Sequence, residues 1–227
     1  MEKAHIISIQ VGLPKWIRSG EPEKLWLSGI FKEPVKEPVW LGKTNLSGDG
    51  QANLEVHGGP DKAVLAYAAC HYPFWSKELG LDLSHGAFGE NFTIDGLNEK
   101  KICIGDIYAV GEAVVQITQP RQPCWKLSRR LGIKDLVARV HISGRTGWYF
   151  RVLKEGYVEK GLPINLIERP FPEWTISSAY EVRFSPTAGL NSILSLANCP
   201  LLSQRWQTAL FNKAQSIKSG GKINKGG

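Results

Sequence analysis

The sequence predicts a mainly β protein with helices, an α+β fold that ends in a small three-helix domain. Short apolar runs bounded by Gly, Pro or Asp recur through the first two thirds of the chain, which is typical of strands joined by turns. After residue 170 the pattern changes to short segments with helical spacing. A hydrophobic content of 42% and eight tryptophans in 227 residues indicate a packed globular core, with room for one large domain and a small appendage.

The predicted strands begin near the N-terminus and continue to residue 158. A glycine at position 111 marks a hairpin turn between two of them. Pro120 ends the strand before it, because proline has no N–H to donate to a sheet. The strand-forming runs are IISIQVG (6–12), EPVWLG (37–42), KICIGDIYAV (101–110), AVVQITQ (113–119) and a strand pair in WYFRVLKEGYV (148–158).

Two helical stretches are predicted among the strands. Residues 60–80 begin with a proline, which suits the first position of a helix, and place Ala63, Tyr67 and Cys70 on one face. Cys70 is therefore expected to be packing material. Residues 126–140 also predict a helix, broken near a central glycine.

The C-terminal part predicts three short helices, over 174–184, 188–198 and 203–214. Ser203 suits the N-cap of the last one, because its hydroxyl can accept a hydrogen bond from a free backbone N–H. A unit of this size is at the limit of independent stability, so we expect it to pack on the β-rich part. The expected division is a β-rich domain over 1–170, a three-helix domain over 171–215 and a disordered basic tail over 216–227.

Composition excludes several classes of protein. The formal net charge is +7, but the last seventeen residues hold four lysines and no acid, and no basic stripe runs through the body, which argues against a nucleic-acid partner. No apolar run approaches the length of a membrane span, and the N-terminal segment lacks a signal-peptide pattern, so we expect a cytoplasmic protein without membrane contact. None of the four cysteines lies in a Cys-x-x-Cys pair, which disfavours a structural zinc site.

The segment HGGPDKA, residues 57–63, is a candidate anion site. Two glycines free the backbone before Pro60, and the N–H groups that begin a helix attract negative charge. His57 and Lys62 would add cationic donors. The alternative is an ordinary Gly-Gly turn capped by Asp61. A second glycine-bent loop, GAFGENF at 86–92, offers Asn91 as a donor and acceptor, or else is a simple tight turn.

The segment QPRQPCWKL, residues 119–127, is the strongest chemical candidate. Prolines hold Cys124 away from regular sheet or helix pairing, and the nearby cation of Arg121 favours the thiolate form. A thiolate is both a nucleophile and a soft metal ligand. The alternatives are an inert packed cysteine and a Cys/His hydrolase that pairs Cys124 with His57.

In chain order, HGGPDKA, GAFGEN, IGD and QPRQPCWKL resemble the MOSC domain, which is named after the C-terminal domain of molybdenum cofactor sulfurases. GRTGWYFRVL and the following ERP also look like this family. The helical part looks like the small domain that follows MOSC in stand-alone bacterial YiiM-type members. The resemblance covers residues 5–212 and implies a β-barrel-like domain with a cleft.

The resemblance also implies a site. Cys124 would be the ligand of molybdenum or a sulfur carrier. The glycine-rich and basic loops would hold the pterin and phosphate of the cofactor, through His57, Gly58, Gly59, Asp61, Lys62, Asn91 and Arg121. The sequence departs from the family at Asn53, where an acid is common, and at Leu162, where Asp is frequent; both put substrate placement in doubt more than cofactor binding.

The function that the resemblance implies is an oxidoreductase that uses the molybdenum cofactor (molybdopterin) to reduce N-hydroxylated bases or amines. Electrons would come from a separate reductase, because the chain has no flavin, haem or iron–sulfur motif. One alternative is a sulfur carrier, or a protein that binds and stores the cofactor, with a persulfide on Cys124. Another is an interaction protein whose helices dock a partner. The oligomeric state stays open, a homodimer being one option.

Overall fold

The computed structural model describes residues 4–19 and 24–220. The first three residues and the predicted tail from residue 221 onward lie outside these ranges. The described strands are β1 (His5–Val11), β2 (Lys15–Ser19), β3 (Lys24–Ser28), β4 (Glu33–Pro34), β5 (Val39–Leu41), β6 (Val64–Ala68), β7 (Phe92–Asp95), β8 (Ile107–Val110), β9 (Ala113–Pro120), β10 (Trp148–Lys154), β11 (Gly156–Val158) and β12 (Ile164–Glu168). The described α-helices are α1 (Leu54–His57), α2 (Tyr72–Leu79), α3 (Trp125–Leu131), α4 (Leu136–Ser143), α5 (Ile176–Phe184), α6 (Leu190–Ala197) and α7 (Gln204–Lys218).

Eight strands form one curled sheet in the order β12-β8-β9-β10-β6-β7-β1-β4. Neighbouring strands are antiparallel except for the parallel pair β6 and β7. The backbone N–H of Ile6 donates to Leu162 O at 3.0 Å, and that of Ile164 donates to Ala4 O at 2.8 Å. These bonds join β1 to the chain at the start of β12, so the sheet curls into the barrel-like shape that the resemblance implied.

The predicted helix over residues 60–80 is wrong over its first half. Residues 60–62 make a single 3-10 turn, and Val64–Ala68 form β6, in which every residue is buried. A strand that is covered on both faces shows a continuous apolar run, and such a run has the same composition as a buried helix. Only α2 is helical. Cys70 follows β6 in a second 3-10 turn and is exposed, so its predicted packing role is also wrong.

Three further differences concern element ends and partners. Cys103 lies in a turn that bridges to Thr175, ahead of β8. The strands β10 and β11 do not pair with each other; β10 pairs with β6 and β9, whereas β11 pairs with β5. The last helix continues to Lys218, beyond its predicted end at residue 214 and into the first residues of the tail that was expected to be disordered.

Other predictions are confirmed. The chain turns between β8 and β9 at Gly111, and the helix over 126–140 is broken after Gly132, each with positive φ. The three C-terminal helices are present. Ser203 caps α7 by accepting a hydrogen bond from Trp206 N.

The three C-terminal helices pack directly on the sheet. Ile176 of α5 and Trp206 of α7 lie in the same buried apolar cluster as Ile117 of β9. The connection is also fixed by polar contacts, because Arg169 donates from Nε to Asp106 Oδ1 at 2.9 Å and from Nη2 to Asp106 Oδ2 at 2.7 Å. The division near residue 170 therefore stays a prediction about independent folding. No helix in the described ranges is both long and apolar enough to cross a membrane.

Candidate functional site

Cys124 lies in the loop that connects strand β9 to helix α3. Strand β9 ends at Pro120, and residues 121–124 then run without regular structure until α3 begins at Trp125. Cys124 has extended backbone angles (φ −115°, ψ 165°) at the N-cap position of α3, and its thiol is half-buried. Pro123 is buried and Arg121 N donates to Gly147 O at 3.0 Å, so both ends of the loop are anchored.

Cys124 faces a cleft that we call the inner cleft, with a volume of about 640 Å³ including the space open to solvent. Among the described residues, four lysine or arginine side chains line it and no aspartate or glutamate does. The lining residues are Ser28, Gly29, Ile30, Lys32, Gly50, Gln51, Ala52, His57, Lys62, Leu65, Gly89, Asn91, Arg121, Gln122, Cys124, Lys126 and Tyr149. The inner cleft is therefore suited to an anionic ligand beside a thiol.

Arg121 gives the clearest indication of a ligand. Its residue surface is 5% exposed, and its Nη1 atom is buried without a hydrogen-bond partner in the described part of the chain. A guanidinium keeps its charge in proteins, and leaving such a donor unpaired is unfavourable. A phosphate oxygen would satisfy it with a charge-assisted hydrogen bond. The residues present thus fit the phosphate of the expected cofactor, and Cys124 fits its metal.

The three lysines of the inner cleft differ in their hydrogen-bond and ion-pair partners. Lys32 is paired with the buried carboxylate of Asp49, which lies behind the cleft wall. Lys126 Nζ donates to Leu27 O at 2.9 Å, a neutral acceptor that leaves its charge uncompensated. Lys62 Nζ donates to Val56 O. Burial, and then the charge of Arg205, lowers the pKa of Lys62 to about 8.

His57 does not supply the cation that the sequence suggested. Burial, followed by the charges of Lys62, Lys126 and Arg121, lowers the pKa of His57 to about 4. The imidazole is therefore neutral near pH 7 and offers one donor and one acceptor. No hydrogen bond joins His57 to Cys124 within the described residues, which weighs against the Cys/His hydrolase.

The structure brings five of the eight predicted site residues to the inner cleft: His57, Lys62, Asn91, Arg121 and Cys124. Gly58 and Gly59 are not among its lining residues; Gly59 has φ +91° and makes the turn that carries Lys62 inward. The carboxylate of Asp61 turns to the other side, where Arg151 Nη2 pairs with it at 2.8 Å.

Asn91 holds the wall of the cleft together. Its Oδ1 accepts from Leu65 N at 3.1 Å, and its Nδ2 donates to Gln10 O at 3.1 Å and to Asp49 Oδ2 at 2.9 Å. All of these partners are protein groups. The side chain that the sequence offered as a ligand contact is thus used mainly to join neighbouring segments of the wall.

A second cleft, the outer cleft, adjoins the first, with a volume of about 1250 Å³ including open solvent. It lies between the sheet and the helices, and its lining residues are Val56, His57, Lys62, Gln119, Gln122, Pro123, Cys124, Trp125, Ser128, Lys134, Val137, His141, Tyr149, Arg183, Arg205 and Trp206. The residues common to both clefts are His57, Lys62, Gln122, Cys124 and Tyr149. Cys124 therefore lies at the junction of the two clefts.

Sequence reasoning missed several lining residues. Lys126 lies inside the QPRQPCWKL segment, five positions after Arg121, so its basic character was a usable signal. Nothing in the sequence indicated Lys32, because this residue lies in a loop far from the cysteine segment along the chain. Arg183 and Arg205 belong to the C-terminal helices, which the sequence could not place against the cysteine loop.

The molecule is an α+β domain with a curled sheet and a cysteine at the junction of two clefts lined by lysine and arginine. Comparison with known proteins identifies the family. The family model of the MOSC domain matches residues 53–165. The chain is 42% identical to YflK of Bacillus subtilis (strain 168) over 216 residues, covering 95% of this chain and 97% of YflK. It is 34% identical over 194 residues to a protein called "Reductase" of Gibberella moniliformis, covering 82% of this chain and 34% of that longer protein.

A solved structure agrees. The crystal structure of YiiM from Geobacillus stearothermophilus has a TM-score of 0.79 at 36% identity, with 93% of this chain and 99% of that chain covered. The chain belongs to the MOSC-domain family. Its domain is therefore of the class associated with the molybdenum cofactor.

Proposed function

We propose that this protein is a molybdenum-cofactor-dependent oxidoreductase that reduces N-hydroxylated bases or amines with electrons from a separate reductase. The observation that carries the proposal is the half-buried Cys124 thiol in a cleft that also contains the buried, unpartnered Arg121 Nη1. The relative called "Reductase" supports reductive chemistry. The substrate class and the electron donor come from the family resemblance.

Cys124 would hold the metal through its sulfur, and Arg121 with Lys126 would hold the cofactor's phosphate. When bound, the cofactor supplies electron transfer through molybdenum. His57, which is neutral, can hydrogen-bond the pterin without adding charge. Gly89, with φ +79°, belongs to the wall of the inner cleft, and a Cβ there would meet Ile30 Cγ1 at 2.7 Å, so the wall requires glycine.

The reaction balances with two electrons and two protons. The N–O bond of R–NH–OH breaks, the nitrogen gains a hydrogen to give R–NH2, and the oxygen leaves as water. This chain provides the two clefts that bring a substrate and a cofactor to the same residue. Both clefts are open to solvent, through which protons can enter and water can leave.

The test is to measure molybdenum and pterin in the purified protein after expression in a host that makes the cofactor. Cys124→Ser should lose the metal while its unfolding midpoint stays unchanged, because Cys124 is outside the buried apolar clusters. Cys70→Ser is the matched control, since it removes an exposed thiol that lines neither cleft, and it should keep the metal.

Each other outcome has a definite meaning. Equal metal in Cys124→Ser and the parent protein would remove Cys124 from the ligand set. Metal-free parent protein that carries an additional sulfur atom on Cys124, measured by mass spectrometry, would replace the proposal with the sulfur-carrier function. Metal-loaded protein that fails to reduce any N-hydroxylated base or amine under reduced viologen would refute the substrate class.

A further inference from the structure

We propose that the outer cleft binds the phosphate of the substrate, so that the protein acts on a phosphorylated aromatic substrate of nucleotide type in preference to the free base or nucleoside. This inference rests on the proposed function and adds a substrate class to it. The phosphate contacts would be Arg183 and Arg205, and the ring surface would be Trp125.

The outer cleft lies beside the inner cleft and is open to solvent. It meets the inner cleft at Cys124, and one of its walls comes from helices α5 and α7. If the inner cleft holds the cofactor, the outer cleft is the route by which a second molecule reaches Cys124. The helices that build this wall therefore contact whatever enters.

The outer cleft is positively charged. The outer cleft is lined by Lys62, Lys134, Arg183 and Arg205, and in the part of the chain that the structure describes no aspartate or glutamate lines it. Arg205 Nη1 donates to a backbone carbonyl, Glu55 O, at 3.1 Å, so its charge is not neutralised there. Asp61, the neighbour of Lys62 in sequence, is already paired with Arg151. The described lining is thus a set of cations without a counter-ion.

Arg183 carries a buried guanidinium nitrogen at this cleft. Its Nη1 atom is buried without a hydrogen-bond partner in the described structure, and its guanidinium lies 4.5 Å from the ring centroid of Trp206. Burial, followed by the charge of Arg205, lowers the pKa of Arg183 to about 10. Two guanidinium groups that repel each other across one cleft are stabilised by an anion that contacts both. Phosphate has the charge and the number of acceptor oxygens to do so.

The outer cleft also has an exposed aromatic ring, that of Trp125. Trp125 follows Cys124 directly, lines the outer cleft and is 53% exposed. Its other contacts hold it in place, since its ring lies 5.4 Å from that of Trp26. An exposed, fixed indole is a stacking surface for a planar base, and base stacking on an aromatic side chain contributes about 1–3 kcal/mol. Cations and an exposed indole together favour a nucleotide over a simple inorganic anion.

Binding of adenosine 5′-monophosphate, adenosine and inorganic phosphate to the full-length protein tests the inference by titration calorimetry. We expect the monophosphate to bind at least about ten-fold more tightly than adenosine or phosphate, the effect of one added charge-assisted hydrogen bond. Arg205→Ala should remove that advantage and leave adenosine binding unchanged. Lys218→Ala is the matched control, because it removes one exposed charge from the same helix outside both clefts, and it should change nothing.

Three results would overturn the inference. The first is equal affinity for the monophosphate and adenosine. The second is equal weakening by Arg205→Ala and Lys218→Ala, which would indicate a general effect of net charge. The third is loss of molybdenum from Arg205→Ala, which would mean that the outer cleft holds the cofactor's phosphate. The titration does not need bound metal. If the protein from a host that makes the cofactor holds no molybdenum but still prefers the monophosphate, the proposed function fails and the anion site stands.

Discussion

Arg121→Met should raise the stability of the cofactor-free protein and lower its affinity for the cofactor. Arg121 is 5% exposed and its Nη1 has no partner in the described structure, so the folded protein without a ligand holds a buried donor that water satisfied in the unfolded chain. Methionine is similar in length and is apolar. The substitution therefore removes an unsatisfied group without leaving a large cavity.

The size of each effect follows from that environment. An unsatisfied buried donor costs about 1–3 kcal/mol. Because one nitrogen of the guanidinium is in this state, we expect the cofactor-free variant to be more stable by about 1–2 kcal/mol, or about 2–4 °C in Tm per kcal/mol for a chain of this length. A charge-assisted hydrogen bond to phosphate contributes about 1.5–3 kcal/mol, so cofactor affinity should fall by about ten-fold or more.

The assay is urea unfolding of the cofactor-free proteins, followed by a measurement of cofactor retained after dialysis. Arg169→Met is the control of opposite sign, because Arg169 is paired with the fully buried carboxylate of Asp106. Breaking a buried pair from one side costs about 3–5 kcal/mol, and the partial exposure of Arg169 places the expected loss at about 3 kcal/mol. If Arg121→Met lowers the free energy of unfolding as much as Arg169→Met does, Arg121 stabilises the cofactor-free fold and is not an unsatisfied anion-binding group.

Three other outcomes are expected. Burial alone would lower the pKa of His71, but its hydrogen bonds with Cys70 and Glu99 and the charge of Glu99 outweigh burial and raise the pKa to about 9. The stabilisation from this ion pair is therefore complete below about pH 6.5 and is lost as the pH rises through about 9. Glu99→Gln should flatten the dependence of the free energy of urea unfolding on pH over this range. An unchanged pH dependence would show that the pair of His71 and Glu99 does not cause it. The hydrogen bond from His71 lowers the pKa of Cys70, so iodoacetamide should label this exposed thiol before the two buried ones, and equal labelling rates would contradict this. Ser203→Ala removes the N-cap of α7 and a buried 2.6 Å hydrogen bond to Gln119, and should cost about 1–2 kcal/mol; a change within error would leave the cap without a role.

Local patterns were enough to predict much of the sheet. Strands with one exposed face alternate, and turns such as the one at Gly111 require a residue that tolerates positive φ. The prediction failed at β6, where both faces are buried and alternation is absent. It also failed at Cys70, because the face assigned to that residue depended on the helix that β6 replaces.

The candidate site was predictable only where its residues lie close together in sequence. Two prolines and Arg121 indicated an anchored loop around Cys124, and the loop has that form. The sequence could not predict that Arg183 of α5 and Arg205 of α7 line the same cleft as Cys124, because this depends on how the helices pack on the sheet. Asn91 was recognised as polar and special, but the sequence could not say that its amide would be engaged by backbone groups and Asp49.

In the proposed catalytic cycle, two open clefts that meet at Cys124 allow the two ligands to enter and leave independently. A single deep pocket forces its occupants to enter in sequence and leave in reverse. Here the molecule in the outer cleft can exchange with solvent while the inner cleft stays occupied. Turnover then need not expose the inner ligand, so a slowly dissociating cofactor and a rapidly exchanging substrate are compatible in the same small protein.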